Sequence, residues 1–444
     1  MAEGGGRHTT VGPEAGGLME LHSQKLVNVG GGDLGGKSFR FRVETADGRS
    51  GEASAPTPLR DDSLPPEARL QRLVDVMADT IAAAAKDGGI GLSEINAIVS
   101  GVPGSRDPKT GLAEMPNAIG KDPDTGMMAE VDIEGALKSK LVSAGLSQGA
   151  IVRCLNDCDI ASAAEDLGEN PKVINGDKDI QPLIKLEKSV FLLLGTGIGG
   201  GIATGYGVDE GKTGVMELGH VEVYTNLPKE QFACGCGKNH EGSVCIEAVA
   251  STTGQEKITR FLLTEELKKP SSIRDAEGVR NLLEATRVWN QSRMPKVDVH
   301  DKETYSRSIT AITGILSTSI GSVDDIILDA GTIDQLAIGA NPQSGIAAEA
   351  MRISGEHFGR YLRNLITGQN PARIVIGGGG GLTFRDTTEE TNPFWSSMMA
   401  ELRGPENDPW NSISRTQIIA VTDTNVNLGI QGSLALANKL LKEN

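Results

Sequence analysis

An α/β architecture of two domains is what this sequence predicts, and three observations carry it. The chain has 444 residues, more than one hydrophobic core usually holds. Short apolar runs alternate with amphipathic stretches along its length, the order in which helices layer onto sheets. Apolar runs at 26–29, 190–194 and 373–376 each lead into a glycine-rich segment, so the second half reads as another copy of the plan of the first. The expected boundaries are a flexible tail over 1–25, a first α/β domain over 26–165, a polar insertion over 166–188 and a second α/β domain over 189–444.

Taken in order, residues 26–29 form a short strand and the glycine run after them a turn. Residues 38–44 alternate, with Phe39, Phe41 and Val43 on one face and Arg40 and Arg42 on the other, so they form a second strand. Residues 66–85 carry Leu70, Leu73, Val74, Met77 and Ile81 at helical spacing. A buried strand over 95–100, a helix over 133–144, a strand over 151–155 and a helix over 158–167 complete the first domain. The second opens with the strand 190–194, a glycine turn and a strand over 201–206. Helices are expected within 245–267, 280–291 and 344–366 and near 428–441, a strand at 373–376, and a loop over the charged run 296–304.

Composition narrows the functions open to this chain. Hydrophobic residues make up 38% and charged residues 23%, ordinary for a soluble globular protein. The 57 glycines stand well above the usual share of roughly 7%. Against 43 basic residues there are 59 acidic ones, a net charge of -16. So negative a chain repels phosphate backbones and anionic lipid, and neither a nucleic-acid nor a membrane partner is expected. A local anion site stays open, because backbone N–H groups supply one without any lysine. The start has no apolar stretch of signal-peptide length, so a cytoplasmic protein is expected. The uncharged run 189–208 contains seven glycines and reads as a buried strand with its turn, not as a bilayer span.

Glycine-rich turns follow apolar strands at 30–36, 195–201 and 377–381. Without a Cβ, the backbone comes close to a ligand and turns its N–H groups toward phosphate oxygens. Three such turns on matching strand ends point to a nucleotide cleft. Residues 31–38 also spell G-x-x-x-x-G-K-S, the form of a P-loop. A P-loop leads straight into a helix, whereas residues 39–43 alternate as a strand. The turn is therefore the tip of a β-hairpin.

Five cysteines are present, and Cys234, Cys236 and Cys245 crowd into twelve residues. Without an export signal, such clustering points to metal before disulfide. His220 with the three cysteines makes the ligand set of a closed, structural zinc site. His240 competes as the fourth ligand, and the sequence leaves that choice open, with His220 favoured.

The segment Glu217-Leu218-Gly219-His220, then Cys234-Gly235-Cys236-Gly237 and Cys245-Ile246-Glu247, resembles the signature of the ROK family, whose members include repressors and sugar kinases. Residues 238–244 lengthen the gap before the final cysteine relative to that family. Asp33-Leu34-Gly35-Gly36-Lys37-Ser38 resembles the first phosphate loop of the actin-like ATPase and sugar kinase superfamily, with Lys37 where the family has threonine. Residues 190–202 resemble its second phosphate loop, and Gly377-Gly378-Gly379 after the strand 373–376 its adenosine segment. Met115-Pro116-Asn117 and Asn156-Asp157-Cys158-Asp159 match further family segments. The resemblance covers most of 26–444 and implies two actin-like (ribonuclease H-like) α/β domains with a nucleotide and sugar cleft between them.

The resemblance also implies chemistry. Transfer of a γ-phosphoryl group from ATP to a hexose hydroxyl needs positioning, charge neutralisation and a base, and Asp157 stands at the family's base position. By itself, an Asp at a helix start reads as an N-cap. Asn117, Asn156, Asp157, Glu217, His220 and Glu247 match the sugar-binding positions. Asp33, Gly35, Gly36, Lys37, Gly195, Thr196, Gly197, Gly199, Gly377, Gly378 and Gly379 match those that hold the nucleotide, with Asp33 nearest Mg2+, through water. Zn2+ on His220, Cys234, Cys236 and Cys245 would shape the sugar pocket. Glucose is the default hexose, ahead of N-acetylhexosamines and fructose; polyphosphate is an alternative donor, and a homodimer is common among relatives. The other reading is a non-catalytic sugar-sensing regulator. The family's repressors carry a DNA-reading helix-turn-helix, for which residues 1–25 are too few.

Overall fold

The computed structural model describes residues 27–35, 38–58, 61–107, 109–115, 118–123, 125–164, 167–168, 171–180, 188–204, 207–208, 218–234, 236, 243–296, 299–318, 322–404, 412–423 and 426–443. Strands β1 (Val29–Leu34), β2 (Ser38–Glu44) and β3 (Ser50–Pro56) form an antiparallel meander. Helix α1 (Pro66–Asp87) then returns the chain to β4 (Ala97–Val102), parallel to β1. Three two-residue strands, β5 (Ser105–Arg106), β6 (Ala113–Glu114) and β7 (Glu130–Val131), make a small side sheet. Helix α2 (Ile133–Ser143) leads into β8 (Ile151–Asn156), parallel to β4, and α3 (Asp157–Ser162) follows at once. The first sheet thus runs β3-β2-β1-β4-β8.

The second sheet repeats that plan. After β9 (Lys172–Asn175) come β10 (Ser189–Leu194), β11 (Ile198–Thr204) and β12 (Gly207–Val208), again an antiparallel meander. A hairpin of β13 (Glu222–Tyr224) and β14 (Ser243–Cys245) precedes a block of helices: α4 (Glu247–Ala250), α5 (Thr252–Lys268), α6 (Ala276–Arg293), α7 (Val299–Thr318), α8 (Ala330–Ala337) and α9 (Gly345–Gln369). Strand β15 (Arg373–Gly377), helices α10 (Gly379–Leu382), α11 (Pro393–Arg403) and α12 (Ser412–Arg415), strand β16 (Gln417–Ala420) and helix α13 (Leu428–Glu443) complete the chain. Strands β10, β15 and β16 are parallel, and the sheet order is β12-β11-β10-β15-β16-β9.

Each sheet is covered by the apolar stripes its helices carry. Leu73, Val74, Met77 and Ile81 of α1 are fully buried against Phe39, Phe41 and Val43, while Leu70 is half-buried. The larger core lies between the second sheet and the helical block, around Phe358, Tyr361, Phe384 and Phe394.

Four expectations are corrected. Gly30, Gly31 and Gly32 lie inside β1 and not in a turn. A Cβ at Gly30 would overlap the Phe41 ring, and one at Gly31 would sit 2.8 Å from Leu434 Cγ. The glycines let both faces of β1 be covered closely, as Gly199, Gly200 and Gly201 do within β11. The charged run at 296–304 enters α7 instead of forming a loop, because the buried residues of that helix, Ser308, Ile312 and Ile315, lie beyond it. The polar segment 166–188 supplies β9, which pairs antiparallel with β16. Finally, α13 packs on β1, β4 and α3 of the first sheet, so the chain's last helix crosses back from the second half to the first.

The crossing of α13 over α3 leaves no room for a side chain at Gly432, whose Cβ would overlap the Ile160 carbonyl oxygen. Gly432→Val is expected to destabilise the protein by about 1–3 kcal/mol, the usual cost of overpacking. Thermal unfolding of the two proteins checks this, and an unchanged midpoint would mean the helices do not meet there.

Candidate active site

The carboxyl ends of the parallel strands in both sheets open on one cleft, the place where open α/β sheets bind ligands. A cavity of about 340 Å3 lies there, lined by Asp33, Asp157, Gly378, Arg40, Asp423, Asn427 and Gly429, with Phe191, Leu193 and Leu428 as its apolar floor. Asp33 reaches it from β1, and its Oδ2 accepts a hydrogen bond from Asn427 Nδ2 at 2.9 Å. Asp157 reaches it from the end of β8.

Asn156, the last residue of β8, caps α3. Its Oδ1 accepts from Cys158 N at 2.9 Å and Asp159 N at 3.2 Å, while its Nδ2 donates to Gly104 O at 2.9 Å. The cap that the sequence allowed Asp157 to be is therefore Asn156. Asp157 accepts locally from Cys158 N at 2.9 Å through Oδ1. Burial pushes its carboxyl up to about 6; the Cys158 N–H opposes this and the charge of Asp33 adds to it. Asp159 is pushed up to about 7, first by burial and then by the charge of Asp157.

The second glycine turn is tight, with Gly195 N donating to Gly197 O at 2.9 Å and Thr196 exposed. Glu247 holds the turn, its Oε2 accepting from Ile198 N at 3.1 Å, and a Cβ at Gly197 would overlap that carboxylate. Gly199 faces Cys158 from within β11. At the third turn Gly377 ends β15, Gly378 takes φ +75° and Gly379 opens α10. At the first, Gly35 N donates to Ser38 O at 3.0 Å across the hairpin tip.

Beside Glu247 stands the cysteine cluster. Ligand atoms of His220, Cys234, Cys236 and Cys245 all lie within 4.8 Å of one another. His220 Nδ1 is 3.3 Å from Cys234 Sγ, and the Cys236 and Cys245 sulfurs are 3.7 Å apart. That is too far for a disulfide of about 2.05 Å. It is close to the edge of a tetrahedron with metal–sulfur bonds of about 2.3 Å. Burial and the neighbouring thiols push Cys245 well above the ordinary thiol range, a cost that a central dication reverses. The hairpin carrying His220 and Cys245 is anchored where Thr225 Oγ1 donates to His357 Nε2 at 2.9 Å on α9. His357 Nδ1 donates to Ile353 O, which sets that tautomer.

Asn117, Glu217, Gly36, Lys37 and His240 lie outside the described residues. Arg40, Asp159, Asp423, Asn427 and His357 were not singled out from sequence. Arg40 read only as the outer face of an alternating strand. Asp423 and Asn427 follow the apolar strand β16 in a polar run, the one signal that could have marked them.

Two sheets of one plan, joined by crossing helices above a cleft, define the actin-like two-lobed α/β class. A model of the ROK family matches residues 30–293, and the chain belongs to the ROK family. It is 30% identical over 149 residues to a glucokinase of Halalkalibacterium halodurans, covering 29% of this chain and 43% of that protein. It is 45% identical over 85 residues to a glucokinase of Thermotoga maritima, covering 19% of this chain and 23% of that protein. The matched segments thus span less than half of either relative. Among solved structures, a ROK family glucokinase from Streptomyces griseus, in complex with glucose and AMPPNP, aligns with a TM-score of 0.54 at 20% identity. That alignment covers 94% of this chain and all of that one. No helix among the described residues is long and apolar enough to cross a membrane.

The folded Asp157 carboxyl titrates near 6 and an unfolded one near 3.9. Between those values the native state binds more protons than the unfolded state, so this group's contribution to stability declines as pH rises through that window. Asp157→Asn is therefore expected to be more stable than the parent at pH 7, by up to about 3 kcal/mol, with the difference vanishing near pH 4. Urea unfolding at both pH values tests this; an Asn variant weaker at pH 7 would mean that the carboxylate is favourably held.

Proposed function

We propose that this protein transfers the γ-phosphoryl group of ATP to a hexose hydroxyl, with Asp157 as general base and glucose as the first sugar to test. The observation that carries the reading is the Asp157 carboxylate. It is half-buried at the head of α3, relieved of capping by Asn156, and faces a cleft shared with Asp33 and Gly378. Asp157 takes the hydroxyl proton as the sugar oxygen bonds to the γ-phosphorus and the bridge to ADP breaks. A carboxyl pushed up toward 6 is a stronger base than an ordinary aspartate and still ionised at pH 7.

The remaining roles follow the chemistry of the groups. Asn156 keeps one amide hydrogen beyond its bond to Gly104, and carboxylates such as Glu247 suit paired sugar hydroxyls. Asn117, Glu217 and His220 complete the proposed sugar set. Gly35, Gly36, Lys37, the turn at Gly195, Thr196, Gly197 and Gly199, and Gly377, Gly378 and Gly379 are proposed to border the nucleotide. Mg2+ bound with ATP would neutralise phosphate charge, with Asp33 nearest it. The zinc ligands would be His220, Cys234, Cys236 and Cys245. His220 Nδ1 lies 3.3 Å from the Cys234 sulfur, and its Nε2 is the atom proposed to meet a sugar hydroxyl.

Asp157→Ala is expected to lower sugar-dependent ADP formation by about 10²–10⁴-fold, leaving folding and sugar binding largely intact. A coupled ADP-release assay over a panel of hexoses, with ATP and with polyphosphate, reads this. The parent's kcat/KM should climb with pH through about 6, where the base ionises. Turnover within a few-fold of the parent would remove Asp157 from the role.

Purified protein is expected to hold one tightly bound zinc per chain. Cys234→Ser or Cys236→Ser should lose it together with sugar affinity, because the loop carries Glu247 and through it the Gly195–Gly197 turn. Elemental analysis without zinc, or a variant that keeps both metal and affinity, counts against the site.

A further inference from the structure

We propose that Arg40 is the cation that receives the phosphate chain of the nucleotide in this cleft. The inference rests on the reading of the cleft as a nucleotide site and adds a specificity-determining residue to it. Strand β2 turns Arg40 and Arg42 to the same face, two residues apart, yet their surroundings differ. Arg42 lies across from Glu52 on β3 and is engaged by Glu44 at 2.9 Å and Glu52 at 3.3 Å. Arg40 lies across from Ser54 on β3 and from Asp33 on β1. Ser54 carries no charge, and Asp33 is already held by the Asn427 amide at 2.9 Å.

Among the described residues, Arg40 makes no ion pair and no side-chain hydrogen bond. It nevertheless lines the cavity, and the other charged groups lining it among the described residues, Asp33, Asp157 and Asp423, are all acids. Three carboxylates repel an anionic chain at short range, so a cation at the rim helps decide where that chain lies. A guanidinium presents a planar fork of donors that fits two phosphate oxygens at once. The ligand it selects is a nucleoside di- or triphosphate, and not the nucleoside alone.

Equilibrium titration of the full chain with ADP and with adenosine, in the absence of sugar, tests this without relying on turnover. Arg40→Gln is expected to weaken ADP binding about tenfold and leave adenosine binding unchanged. Arg40→Lys should recover part of the loss, and added salt should shrink the difference. Parental ADP affinity in Arg40→Gln overturns the role of Arg40 alone. Equal losses for ADP and adenosine overturn it too, since they show a general disturbance of the site. A parent chain that binds no ADP overturns instead the reading of the cleft as a nucleotide site.

Discussion

The two helices that tie the sheets together approach most closely where one of them lacks a side chain. A Cβ at Gly432 would occupy the place of the Ile160 carbonyl, and one at Gly201 would overlap the Cys158 backbone. Helix α3 can therefore lie on β11 of the second sheet while it hangs from β8 of the first, and α13 can cross over α3 and still cover β1. Close-packed interiors cannot absorb an extra methyl at such a contact. These two glycines thus serve close backbone approach and not turns.

From that crossing follows the placement of the Asp157 carboxylate. Because α3 starts at the very end of β8, its first turn projects into the cleft. Asn156 satisfies the exposed N–H groups there, and Asp157 is left facing the cavity with Asp33 across the strand ends. Burial lifts the Asp157 carboxyl, the charge of Asp33 adds to the rise, and the ionised group costs stability at neutral pH. The same helix start leaves Asp159 half-buried, where burial and then the charge of Asp157 raise its carboxyl.

Much of this was legible in the sequence, and the failures have physical causes. The alternation of Phe39, Phe41 and Val43 against Arg40 and Arg42 gave β2 to the residue, because one face of that strand is buried and the other is not. The helix α1 was legible from its stripe. Gly30–Gly32 were misread, since local preference favours a turn there and only tertiary contact with Phe41 and Leu434 makes them strand. The first part of α7 was misread because its buried stripe begins late, at Ser308, and its buried apolar residues only at Ile312. The cysteine cluster was legible because its ligands crowd together along the chain. Asp423 and Asn427 were not, because they join Asp33 and Asp157 only through the topology, nearly 400 residues away in the case of the Asp33–Asn427 bond.

That long-range bond shows how the cleft distributes its charge. The chain is acidic overall, and the cleft repeats this on a small scale with three carboxylates. Asn427, near the start of α13, takes up Asp33 through a neutral amide where an arginine would have cancelled its charge. The cross-strand arginine is thereby left uncommitted while its neighbour Arg42 is neutralised by two glutamates. Among the described residues, a neutral partner for the acid and none for the cation keep both charges available to a third party. An anionic chain accompanied by a dication is the kind of guest that uses both, the dication meeting the acids and the chain meeting the guanidinium.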